Sequence, residues 1–139
     1  MKVKGIVLIF SLLITGCDYN FNKELVDGYD VGAIDSRYSM SIYGMDGNYS
    51  VGVIPPTVYA VGYNDSFIIA KQHPQAKPGL SADKTITHYF IIPVKANNGN
   101  ISVVKNVVGP LDEAQFKRMR QEYSIPESLD FQIVFDDLK

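Results

Sequence analysis

The chain has 139 residues, a formal net charge of −2 from 13 Lys and Arg against 15 Asp and Glu, and 46% apolar residues. That length suits one domain with a real core, and a weakly acidic balance without a basic cluster argues against nucleic acid as a partner. A single cysteine, Cys17, excludes an intrachain disulfide, so the fold has to stand on packing.

Lys2 and Lys4 precede an apolar run from Ile6 to Ile14. At ~1.5 Å per residue this run spans roughly 14 Å, too short for a ~30 Å hydrocarbon core but suited to the h-region of an export signal. It ends Ile14-Thr15-Gly16-Cys17, an aliphatic residue and two small ones before a thiol, which resembles the bacterial lipobox. The expectation is a signal peptide over 1–16, a lipidated tether over 17–24 starting at Cys17, and one domain over 25–139. Several acyl chains, each contributing about 0.8 kcal/mol per buried CH₂, would then hold the protein on a membrane.

From Leu25 the chain reads as strands and turns. Tyr38 to Ile42 alternates apolar and polar, the period of a half-buried strand, and Asp46-Gly47 turns it into a second strand over Tyr49 to Val53. Pro55-Pro56 interrupts the ladder. Val58 to Tyr63 resumes it, with Tyr59, Val61 and Tyr63 on one face. After a turn at Asn64-Asp65-Ser66, Phe67-Ile68-Ile69-Ala70 is apolar on both faces, which predicts a central, doubly covered strand. His73 to Lys84 is the longest loop. Thr85 to Val94 is expected as a strand that ends or bulges at Pro93, and Asn97 to Asn100 as a turn into a strand over Ile101 to Val108.

One helix is signalled locally. Asp112 and Gln115 have the spacing of a capping box, Phe116, Met119 and Tyr123 share a face, Glu113 and Lys117 form an i,i+4 pair, and Ile125-Pro126 stops the helix. Phe131 to Phe135 is expected as the last strand. The fold class is therefore α+β, a mostly antiparallel sheet of about six to eight strands with one C-terminal helix packed on it. Tyr-x-Val-Gly recurs at Tyr29, Tyr49 and Tyr59 without a fixed period, so strands that end or bulge at glycine are expected rather than a repeat architecture.

Several pieces resemble small uncharacterised bacterial lipoproteins grouped as a domain of unknown function. They are the lipobox at Cys17, Gly28-Tyr29, Ile54 to Val58 leading to Phe67-Ile68-Ile69-Ala70-Lys71-Gln72, Tyr89-Phe90-Ile91-Ile92, and Gly109-Pro110-Leu111 before a helix holding Phe116. The resemblance implies an envelope lipoprotein and carries no activity or catalytic residues.

The residues themselves offer little chemistry. There is no Gly-x-Ser-x-Gly elbow, phosphate loop or metal-ligand spacing, so no enzyme activity, metal or cofactor is expected. Only His73 and His88 are available as imidazole bases, and a small envelope hydrolase using His73 or His88, with Ser81 or Asp83 near in space, is the alternative. Asp136 and Asp137, as strand neighbours, point apart, and Lys117, Arg118 and Arg120 read as a solvated helix face. Nine tyrosines and no tryptophan mark the composition. Tyrosine suits both strands and binding surfaces, so Tyr43, Tyr59 and Tyr63 are a candidate partner surface for an envelope protein or glycan. The leading expectation is a non-catalytic binding or structural accessory module, lipid-anchored in the bacterial cell envelope through Cys17, with inner or outer membrane undecided.

Overall fold

The computed structural model describes residues 19–94 and 103–139. Cys17, the leader expected over 1–16, and the turn expected at Asn97 to Asn100 lie outside the described residues.

Nine strands among the described residues form two antiparallel sheets, one strand more than the upper expectation. The first sheet has the order β1-β2-β3-β4, from β1 (Tyr19–Glu24), β2 (Asp30–Asp35), β3 (Ser41–Asp46) and β4 (Tyr49–Ile54). The second has the order β8-β7-β6-β5-β9, from β5 (Val58–Tyr63), β6 (Phe67–Gln72), β7 (His88–Pro93), β8 (Val108–Leu111) and β9 (Ile133–Val134). The proline pair is where the chain leaves one sheet for the other. There Thr57 is fully buried with φ +71°, rare for a β-branched residue, and the next residue, Val58, donates its N–H to the Met40 carbonyl at 2.9 Å, joining the layers.

Between the sheets lies the main core, in which Tyr29, Val31, Met40, Ile42 and Ile54 meet Val58, Val61, Ile68, Phe90 and Ile92. A second core on the outer face of the larger sheet joins Ile69 and Ile91 to Phe116, Ile125 and Leu129, beneath α1 (Glu113–Glu122) and the segment after it. The β6 strand is the middle strand of five, with Ile68 and Ala70 in one core and Ile69 in the other. The expected central strand is thus found, although the Phe67 ring at its start is only half-buried, packed edge-on to Tyr123.

The local signals hold where they are strongest. Asp112 caps α1, accepting from the Gln115 N–H at 2.7 Å while Gln115 Oε1 accepts from the Asp112 N–H at 2.8 Å. The Asn64 side chain closes its turn by accepting from the N–H groups of Ser66 and Phe67, each at 2.8 Å. Other expectations need correction. The polar segment read as a tether contributes β1 from Tyr19 onward, paired along its length with β2. The strand expected over Tyr38 to Ile42 begins only at Ser41, because Ser36 caps a 3₁₀ turn over Arg37–Ser39. The expected strand at Ile101 to Val108 is, among described residues, a 3₁₀ turn over Val103–Asn106 followed by β8. The strand opening at Thr85 starts three residues later, at His88.

Each glycine of the Tyr-x-Val-Gly segments sits inside its strand, not at its end, and the β3–β4 register shifts beside Gly52, as expected of a bulge at glycine. A Cβ on Gly32 or Gly52 would approach the Tyr43 ring at 3.7 and 4.0 Å, so the tyrosine of β3 covers the two bare backbones beside it. Gly62 meets a harder constraint, since a Cβ there would lie 2.1 Å from the Asp130 carbonyl oxygen. The segment entering β9 passes directly over β5 at that point.

Candidate functional site: a proline-walled cleft at the end of the sandwich

Where β4 crosses to β5, the two sheets part and leave a cleft of about 540 Å³. Its walls include Pro55, Pro56, Pro74 and Pro78, and the inner-face residues Gln72, His88 and Phe90 line it from β6 and β7. Prolines suit this place because they end strands and leave no N–H to satisfy in an apolar wall. Among the described residues that line the cleft there is no Asp, Glu, Lys or Arg.

Gln72 is the buried polar residue of the cleft. It is 3% exposed, and its Nε2 donates to the Pro56 carbonyl at 2.8 Å. That bond fixes the amide's orientation, because a flipped amide would set oxygen against oxygen. Its Oε1 is buried without a hydrogen-bond partner among the described residues, a condition that costs about 1–3 kcal/mol. His88 faces Gln72 directly across the β6–β7 ladder.

His73 stands apart from this cleft. It is 4% exposed, its ring is stacked on Tyr59 with centroids 4.2 Å apart, and Nδ1 donates to the Ile86 carbonyl at 2.6 Å. A carbonyl only accepts, so Nδ1 carries the proton. Asp83 is occupied by Thr85, whose N–H and hydroxyl both donate to its Oδ1 and hold its carboxyl below the usual range. No direct bond joins His73 to Asp83 or Ser81, and the ring is locked into the fold.

The three tyrosines expected to form one surface are dispersed. Tyr43 lies over glycines on the outer face of the first sheet. Tyr59 is buried and its hydroxyl meets Thr87 Oγ1 at 3.0 Å. Tyr63 packs half-buried against the main core. The period-two pattern correctly put Tyr59 and Tyr63 on one face, but that face is the interior.

Two of the three basic residues of α1, Lys117 and Arg120, are engaged. Lys117 pairs with Glu113 at 2.8 Å, and Arg120 donates to the carbonyls of Pro126 and Leu129, both at 2.8 Å, pinning the segment that covers the second core. Asp136 and Asp137 lie in a turn after β9 rather than on a strand, and Asp137 accepts a bidentate pair from Arg37 at 2.7 and 2.9 Å, which holds its carboxyl below the usual range. The same guanidinium lies over the Phe135 ring at 4.7 Å and donates to the Tyr19 hydroxyl, fastening β1 to the C-terminal segment. Sequence reasoning missed this clamp and the Gln72 amide. Neither has a local signal, since Arg37 and Asp137 lie 100 positions apart.

Among the described residues, no group of three His, Cys, Asp or Glu is placed to hold a metal ion, and no helix is long and apolar enough to cross a membrane.

Two facing antiparallel sheets, one helix and an uncharged cleft at the open end define a small α+β sandwich protein. Within that class, the chain belongs to the family described as Protein of unknown function (DUF3997), whose model matches residues 26–138. No curated protein and no solved structure matches the chain.

Proposed function

We propose that this protein is a bacterial envelope lipoprotein, held on a membrane through Cys17, whose domain is a non-catalytic binding module with the proline-walled cleft as its ligand surface. The observation that carries the binding role is the uncharged cleft floored by Gln72. Its size falls within the ~300–1,000 Å³ usual for ligand sites, and its apolar walls with few polar groups match their usual composition. The anchor is supported by the lipobox-like Ile14-Thr15-Gly16-Cys17. An envelope protein segment or a glycan is the expected ligand class. The alternative, a small hydrolase, retains only His88, because His73 is buried and bonded.

Metabolic labelling with a palmitate analogue should mark the wild type and spare Cys17→Ala; equal labelling of both overturns the anchor. For the cleft, NMR titration with short peptides and N-acetylglucosamine oligomers should give saturable shifts centred on Gln72, His88 and Phe90. Shifts elsewhere, or none, overturn the cleft as the ligand surface. Turnover of any of these compounds that disappears in His88→Ala replaces the binder with the hydrolase.

A further inference from the structure

We infer that the Tyr19 end of the first sheet lies directly on the lipid surface, with Ile34, Tyr38 and Leu80 as the contact. This deepens the anchored reading above and rests on it.

Tyr19 is already in register, paired with Asp35, and its hydroxyl accepts from the guanidinium that grips Asp137. Only Asp18 separates it from Cys17. Consecutive Cα atoms are about 3.8 Å apart, so a lipid-bearing Cys17 lies within ~8 Å of the first strand residue. A domain on so short a leash has no room to stand off, and whatever surrounds Tyr19 meets the headgroups.

Beside the exposed Asp35 that pairs with Tyr19, this end of the sheet carries uncovered apolar side chains. Ile34 pairs with Asn20 in the β1–β2 ladder and is 59% exposed. Tyr38, in the 3₁₀ turn after β2, is 55% exposed, and Leu80, 51% exposed, lines the same surface hollow as Tyr38. Single exposed apolar residues are ordinary; three beside the point where the chain leads to an acylated residue form a contact. Tyrosine favours the membrane–water boundary, and exposed Lys77, in the turn with Leu80, offers a cation to anionic headgroups. The exposed Met45 and Tyr49 lie at the opposite end, on the β3–β4 hairpin. Counting about eight residue steps along β2 and β3 at ~3.3 Å each puts them roughly 25 Å away.

The chain has no tryptophan, so Tyr38→Trp and Tyr49→Trp each install a unique reporter. The full lipidated variants are reconstituted into phosphatidylcholine–phosphatidylglycerol vesicles with and without lipids brominated near the top of the acyl chains. Interfacial side chains sit ~5–10 Å into the headgroup–acyl boundary, so the tryptophan at 38 should lose about half its emission to bromine. The tryptophan at 49 should lose none. Leu80→Trp repeats the measurement should the first variant misfold. Failure of the wild type to float with the vesicles overturns the anchored reading itself. Flotation with neither reporter quenched, or both quenched alike, leaves the anchor standing and overturns the contact.

Discussion

The two sheets have similar strands and opposite surroundings. In the larger sheet β5 is buried almost along its whole length and β6 and β7 have no exposed residue, because the other sheet covers one face and α1 with its following segment covers the other. In the smaller sheet, most of the buried residues face the shared core, and β1 and the hairpin end of β3 and β4 are largely exposed. On the outer face of that sheet the Tyr43 ring lies over Gly32 and Gly52, with the Asn22 side chain also against Gly32. Strand sequence alone therefore does not set how much a side chain contributes to stability. The number of layers over it does.

Ile69→Ala should produce the largest loss, because Ile69 is fully buried and lies under the helix layer. A cost of about 2–5 kcal/mol is expected from chemical denaturation. A midpoint unchanged from wild type would mean that the helix layer does not hold the sheet. Phe67, half-buried, should cost less when truncated than Ile69.

The sharpest contrast uses one motif twice. Gly62→Ala should destabilise by about 1–3 kcal/mol, since the new methyl must displace the Asp130 carbonyl. Gly52→Ala should stay within about 0.5 kcal/mol of wild type, as its nearest neighbour is a ring carbon at 4.0 Å and alanine lowers the entropy lost on folding. Equal costs at the two positions would break the comparison.

Between these lies the clamp. The folded state holds the Asp137 carboxyl below its ordinary value through the Arg37 bond. Its contribution is complete above the unfolded carboxylate pKa of about 3.9 and is lost as pH falls through the depressed folded value. The pair is solvent-exposed, with Asp137 54% accessible, so Asp137→Asn should cost about 0.2–1 kcal/mol at neutral pH and nothing at strongly acid pH. Melts of the two proteins at both pH values check the sign, and a difference that grows on acidification refutes it. A fragment for such work should start before Tyr19, because cutting at Asn20 removes a bonded strand residue.

Much of the architecture is legible in the chain. The capping box at Asp112, the Asn64 turn, the break at Pro55-Pro56 and the doubly apolar Phe67 to Ala70 each act through residues within a few positions of one another. These interactions arise wherever such sequences occur, so the helix, the turns and the central strand follow from them. The α+β class follows in turn. The rest was set by distant partners. Polar Tyr19 to Glu24 becomes a strand because β2 offers its edge, and Tyr59 and His73 turn inward because one sheet folds over the other. Gln72 acquires its unpartnered oxygen only when Pro56 takes its amide nitrogen, and Asp137, still solvent-exposed, finds its partner in an arginine 100 residues away. Periodicity reports that a strand has two faces. Which face is covered, and by what, is a property of the packed layers, and only the tertiary structure decides it.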